Sequence, residues 1–240
     1  MHPPVTELTV ATFNAHWGLD RRGRPFDVVA AGRRIDADVL VLQEAWRRPG
    51  VPAFADALAA ALGAELHEVV LAPDTVKARP RSVLSDPDRP GSWGLAMLSR
   101  LPVRRRFEID LGHALGDAVA RRIALCIEVD AGATPLVIAG VHASHKVWGA
   151  LPQLRRLHAR LAGLHSPSVI AGDLNMWGPP VAAVLRGRRR AVRGRTWPAH
   201  LPHSQIDHVF VSDGIEVVTG EVLGPQGSDH RAARARLRLP

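Results

Sequence analysis

Tyrosine is absent from this sequence, cysteine occurs once, and lysine stands at only two of 240 positions, Lys77 and Lys146. A single cysteine excludes an internal disulfide, and Cys126, inside Ile123-Ala124-Leu125-Cys126-Ile127, reads as a small core residue. No apolar run approaches the roughly 20 residues that a bilayer-spanning helix needs. The start, Met1-His2-Pro3-Pro4, lacks the basic beginning, apolar middle and small-residue cleavage site of a secretory signal, so a cytoplasmic protein is expected. Equally missing are a glycine-rich nucleotide-phosphate loop, a Gly-x-Ser-x-Gly elbow and a cysteine-based zinc motif. No repeat and no low-complexity linker divides the chain, and one domain spanning residues 1–240 is expected.

The charge that is present is mostly arginine. A net charge of +8 suits an anionic partner. Arginine is accompanied everywhere by alanine, glycine and proline, the habit of a GC-rich coding sequence, so the charge alone argues little.

Apolar runs with strand character alternate with helical stretches. Strands are expected at Leu8–Phe13, at Asp38–Leu42 ending in Gln43-Glu44, at Leu66–Leu71, Gly94–Ser99, Val103–Leu111, Val119–Val129, Pro135–Val141, Ser168–Gly172, Ile206–Val211 and Glu216–Val222. The last stretch alternates Ala235, Leu237 and Leu239 with Arg234, Arg236 and Arg238, one face buried and one solvated. Helices are expected over Phe26–Ile35, Pro52–Leu62 and Leu151–Leu164, the last from leucines at helical spacing. Residues 73–92, with four prolines, read as a long surface loop. This order implies an α/β layered fold with a many-stranded mixed sheet.

Polar residues recur in one context. Asn14, Glu44, His142, Asp173 and Asn175 each stand at or just past the end of an apolar strand, and Asp229 and His230 precede the last one. Strand ends at one sheet edge are where α/β folds place ligand sites. Glu and Asp are hard oxygen ligands suited to Mg²⁺ or Mn²⁺. A histidine beside a carboxylate suits proton transfer. Each residue alone has an ordinary reading: Asn14 caps a turn, Glu44 is a solvated loop residue, His142 is a core histidine, Asp173 and Asn175 bond their own backbone.

Taken in order, the segments Thr12-Phe13-Asn14, Leu42-Gln43-Glu44, Val141-His142, Gly172-Asp173-Leu174-Asn175, Gln205-Ile206-Asp207 and Ser228-Asp229-His230 resemble the endonuclease/exonuclease/phosphatase superfamily, the group of deoxyribonuclease I. The resemblance implies a four-layer α/β/β/α sandwich, two mixed β-sheets face to face with helices outside. It implies a hydrolase that cleaves a phosphodiester, in nucleic acid or a small molecule, or instead a phosphatase or phospholipase C-type enzyme acting on a phosphoinositide or sphingolipid headgroup. A binding protein with a dead site is disfavoured by the complete motif set. By resemblance Glu44 binds Mg²⁺ or Mn²⁺ with Asn14 and Asp229 nearby. Asp173 and Asn175 orient water and a phosphate oxygen, His142 donates to phosphate or leaving group, and Asp207 pairs with His230. Asp173 and His230 remain rival bases. The absence of tyrosine departs from the repair nucleases of the exonuclease III type.

Other residues stand in doubt. His145 could add a metal ligand or only line a loop, and His208 should point away from Asp207. Trp177, Trp148 and Trp197 are candidates for lining a substrate pocket, Trp177 foremost, against core packing. The run Arg186–Arg195 is a polyanion contact or a solvated loop. The expected partner is a phosphorylated substrate, nucleic acid among the candidates, and the expected state a monomer.

Overall fold

The computed structural model describes residues 7–72, 91–117, 119, 121–132 and 135–239. The expected loop at 73–92 lies outside them apart from its last two residues.

Twelve strands among the described residues form two six-stranded sheets. One runs β11 (Glu216–Val222), β12 (Ala233–Arg238), β1 (Glu7–Asn14), β2 (Val39–Arg47), β4 (Ser92–Ser99), β3 (Glu65–Ala72). The other runs β5 (Val103–Gly112), β6 (Arg122–Asp130), β7 (Pro135–His142), β8 (Ser168–Asp173), β10 (Asp207–Val211), β9 (Arg189–Arg190). The two follow one plan: a central parallel pair, β1 with β2 and β7 with β8, flanked by antiparallel neighbours. Helices α1 (Val28–Ile35) and α2 (Phe54–Leu62) cover the first sheet, α3 (Val147–Ala162) and α4 (Gly178–Val184) the second. The expected α/β/β/α sandwich is the architecture found.

Strand alternation builds the layers. In β1, Leu8 and Val10 enter the core between the sheets, while Ala11 and Phe13 turn outward beneath Val28, Ile35 and Leu58. In β7, Leu136 and Ile138 face inward while Val137 and Ala139 pack under Leu154 and Leu157 of α3. Both leucines are fully buried, and truncating either to alanine would cost about 2–5 kcal/mol.

The same parity carries into the polar strand ends. Asn14 continues the inward row of Leu8 and Val10, His142 that of Leu136 and Ile138, Asp173 that of Val169 and Ala171, and Asp207 that of Val209 and Val211. Four site residues therefore converge at one end of the space between the sheets. Gly140, in the inward row of β7, permits the sheets to approach here: a Cβ would lie 2.8 Å from Val41 Cγ1.

Two expectations are corrected. The helix expected from Leu151 begins a turn earlier, at Val147, so Pro152 lies within it rather than at its start. The strand expected to end at Gln43-Glu44 runs on to Arg47, because Glu44 is accommodated as a bulge.

Candidate active site

That bulge delivers Glu44. By parity with Leu40 and Leu42 its side chain would face the helices. The β2–β4 register instead shifts between Gln43 and Ala45, with Glu44 at φ 53° in the left-handed region. Such a backbone is costly for a side-chain-bearing residue and persists where surrounding structure enforces it. Here the carboxylate meets Asn14, whose Nδ2 donates to Glu44 Oε1 at 3.2 Å and to Asp173 Oδ2 at 3.1 Å. Asn14 Oδ1 accepts the backbone N–H of His16 at 2.9 Å. The asparagine thus bridges two carboxylates, one from each sheet, with its oxygen turned to the chain that follows it.

Asp173 is the hub. Its Oδ1 accepts the Asn175 amide at 2.8 Å, a turn that leaves Asn175 at φ 51° while Asn175 Nδ2 donates to Ala143 O at 2.9 Å. His142 Nε2 stands 3.7 Å and His230 Nε2 3.9 Å from Asp173 Oδ2. Burial, then the neighbouring Asp207 charge, pushes the Asp173 carboxyl up to about 7.

The expected Asp207–His230 pair is present: His230 Nδ1 lies 3.0 Å from Asp207 Oδ2 and 3.2 Å from Oδ1, across 23 positions of sequence. Antiparallel pairing sets Asp207 directly opposite Asp173. Ser228 Oγ fixes the loop by donating to Asn14 O at 2.7 Å and by accepting the His230 backbone N–H at 3.1 Å. Burial alone would lower the His230 pKa. The carboxylate of Asp207, its hydrogen bond, and Asp173 and Asp229 outweigh that and hold the ring at about 10. Burial and then the Arg122 charge drive His142 the other way, well below its ordinary value.

These groups open on a cleft of about 510 Å³. Glu44, His142, Asp173, Asn175, Asp229 and His230 line it, with Asn14 and Asp207 buried behind them. Trp177, expected to line the site, stands 55% exposed at the start of α4 and is not among the lining residues. Trp148 is also outside, whereas Trp197 is part of the wall. His145 is on the rim, half-exposed, 3.9 Å from Asp117 Oδ1. His208 turns away as expected, its Nε2 2.9 Å from Met176 O beneath α4. Within the 186–195 stretch, Arg188 donates to Ser168 O and Oγ, and Arg189 to Ile215 O, so part of that charge ties the fold together.

Sequence reasoning missed a buried ion pair in the wall. Arg122 grips Asp117 through Nε and Nη2, both at 3.0 Å, and donates through Nη1 to the His142 carbonyl at 3.3 Å. Its guanidinium lies 5.7 Å from the Trp93 ring, itself 5.6 Å from the His142 ring. His16 and Trp17, at φ 45° and 57°, form another wall, with His16 Nδ1 3.0 Å from Leu19 O and 3.6 Å from Asp229 Oδ1. Two left-handed residues in succession mark a strained turn, which the sequence does not announce.

The donors suit a divalent cation. Glu44 Oε2 is buried with no hydrogen-bond partner among the described residues, and burial raises the Glu44 pKa against the pull of His16 and His230. An unsatisfied buried carboxylate oxygen is what a hard cation relieves. Asp173, Asp207 and His230 also bring ligand atoms within 4.8 Å of one another. Asp207 and the charged His230 satisfy each other, however, whereas among the described residues Glu44 Oε2 does not have such a partner.

No helix among the described residues is long and apolar enough to cross a membrane. No curated protein matches this sequence. Among solved structures, an endonuclease/exonuclease/phosphatase from Beutenbergia cavernae DSM 12333 superposes with a TM-score of 0.72 at 24% identity, over 98% of this chain and 72% of that one. A mannosyl-6-phosphatase from Bacteroides thetaiotaomicron VPI-5482 gives 0.73 at 17% identity, over 96% and 99%. TDP2 from C. elegans gives 0.66 at 16%, over 99% and 77%. These likenesses carry the fold. The model of the Endonuclease/Exonuclease/phosphatase family matches residues 11–230, from the middle of β1 to the histidine of the buried pair, and the chain belongs to that family of phosphoester hydrolases.

Proposed function

We propose that the protein is a divalent-metal-dependent hydrolase of a phosphodiester, in nucleic acid or a small molecule. The observation that carries this is the Asp207–His230 pair set beside Asp173, which Asn14 bridges to Glu44. Glu44 and Asp229, with Asn14 beside them, would hold Mg²⁺ or Mn²⁺. When bound, such a cation polarises the phosphoryl oxygen and offsets its charge. Asp173, with a carboxyl near neutrality, receives the proton of the attacking water, and Asn175 helps aim it. His230, held charged by Asp207, faces the negative charge that develops at phosphorus. His142, uncharged in its buried position, presents a ring nitrogen to phosphate or leaving group.

A diester fits the wall better than a multiply phosphorylated ligand. Arg122 is the one guanidinium among the described lining residues, and Asp117 already occupies it. Little fixed positive charge is left for a second phosphate. A second reading, phospholipase C-type cleavage of a phosphoinositide or sphingolipid headgroup, uses the same residues. It is favoured by exposed apolar side chains in the connections that follow or precede the site-bearing strand ends.

The test is incubation with Mg²⁺ or Mn²⁺ against bis-p-nitrophenyl phosphate, supercoiled plasmid, single strands and phosphoinositides. Hydrolysis of the simple diester that stops in EDTA is expected, and the polymeric and lipid substrates separate endonuclease from phospholipase. Full activity in EDTA, or no hydrolysis of any substrate, contradicts the proposal.

A further inference from the structure

Seven large apolar side chains are exposed among the described residues, and their placement is uneven. Leu115 lies between the end of β5 and the start of β6. Val147 and Trp148 follow β7, Trp177 follows β8, Leu201 precedes β10, and Val51 follows β2. Those strand ends are the ones that carry Arg122, His142, Asp173, Asp207 and Glu44. Only Val70, within β3, is not in such a connection. The apolar exposure is thus gathered in the connections at the end of the sheets where the cleft opens, here termed its rim.

Its most prominent part is a built tip. Leu115 is 83% and Trp148 64% exposed, and the Trp148 indole N–H donates to Leu115 O at 3.2 Å, joining two connections into one projection. Val147 adjoins them, and Lys146 Nζ lies 5.8 Å over the Trp148 ring. The unpaired charge around this edge is positive. Among the described residues, Lys146, and Arg21 and Arg22 in the neighbouring hollow beside Asp229, have no carboxylate at ion-pair distance. Of the acids there, Asp20 is engaged by Arg24 and Asp117 by Arg122, while Asp229 belongs to the proposed cation site.

We propose that this rim docks the protein on the surface of an anionic phospholipid bilayer, with the cleft facing the headgroups. Aliphatic side chains held out in water gain by entering hydrocarbon, indoles favour the headgroup boundary, and cations favour anionic lipid. A single-stranded nucleic acid would call for stacking faces. Leucine and valine offer none, and they make up most of the rim. Charge complementarity and aliphatic content together select the lipid surface. The inference rests on the second reading of the proposed function, cleavage of a lipid headgroup, and it is tested without catalysis.

Vesicles of phosphatidylcholine alone and of phosphatidylcholine mixed with phosphatidylglycerol are sedimented with the full chain. Wild type is expected to pellet with the mixed vesicles and much less with the neutral ones. Leu115→Ser and Trp148→Ser are expected to weaken this partition about tenfold each, since a lost apolar insertion of about 1.4 kcal/mol or more is at least that factor. Both side chains are exposed and outside the catalytic machinery, so hydrolysis of soluble bis-p-nitrophenyl phosphate should stay at wild type and reports separately on the proposed activity. No binding to mixed vesicles, binding that survives the double substitution, or Trp148-dependent binding of a single-stranded oligonucleotide in place of vesicles would overturn the inference.

Discussion

Asn14 Nδ2 donates to Asp173 Oδ2 at 3.1 Å, although 159 positions separate the two residues and each belongs to a different sheet. The same nitrogen donates to Glu44. One amide therefore sets the spacing between the carboxylate that would hold a cation and the carboxylate that would take a proton. Asn14→Ala leaves two buried carboxylates without their shared donor, and a buried unsatisfied acceptor costs about 1–3 kcal/mol. The expected outcome is a lower Tm and at least ~10² loss in kcat, in keeping with the loss of a positioned group. Asn14→Asp should lose more, since it sets a third negative charge between the other two. Thermal melts beside bis-p-nitrophenyl phosphate kinetics check both.

Glu44 should separate metal binding from folding. Its backbone is left-handed and one carboxylate oxygen is unsatisfied, so removing the charge should not destabilise the metal-free chain. Glu44→Gln is expected to keep or raise the Tm without metal while abolishing the Tm rise that Mn²⁺ gives wild type. Calorimetric titration with Mn²⁺ should show at least about 10-fold weaker binding. Undiminished Mn²⁺ affinity would move the cation elsewhere, with Asp173, Asp207 and His230 the next set to vary.

The Arg122–Asp117 pair predicts an acid-sensitive wall. Burial would raise the Asp117 carboxyl, but Arg122 and the Val119 amide hold it at about 2, below the ordinary value. Because the folded value is depressed, its contribution to stability is fully present above about pH 4 and is lost as pH falls toward about 2. Asp117→Asn should flatten the fall in Tm across that interval. It should also lower kcat more than it raises KM, because Arg122 holds the His142 carbonyl. A pH series of melts for both proteins, with kinetics at neutral pH, measures this.

Part of the site was legible because Asn14, His142 and Asp173 each end an apolar run, which marks a strand end from sequence alone. Which face they take was not legible, because β7 and β8 are buried on both faces and show no alternation. Glu44 was found by motif, but its strand was cut short: a left-handed bulge favours glycine or asparagine, and a glutamate there gives no local sign. The Asp207–His230 contact came only from resemblance, since no periodicity joins residues 23 apart. Asp117 and Arg122 were invisible for a similar reason. Their pairing depends on how the connection into β6 folds back, and the strand expected from Val119 begins at Arg122. Trp177 looked like a pocket residue by its nearness to Asn175; in the folded chain it is exposed at the start of α4 and is not among the residues that line the cleft.

Asp207 and His230 are proposed to act as one unit on a phosphodiester, and a double-mutant cycle reads that coupling. Turnover of bis-p-nitrophenyl phosphate with saturating Mn²⁺ is measured for wild type, Asp207→Ala, His230→Ala and the double variant. Each single substitution should cost at least ~10² in kcat with KM little changed. The double variant should lose little beyond His230→Ala alone, since partners in one unit are not additive. Losses that multiply, or a wild-type rate in Asp207→Ala, would contradict the account.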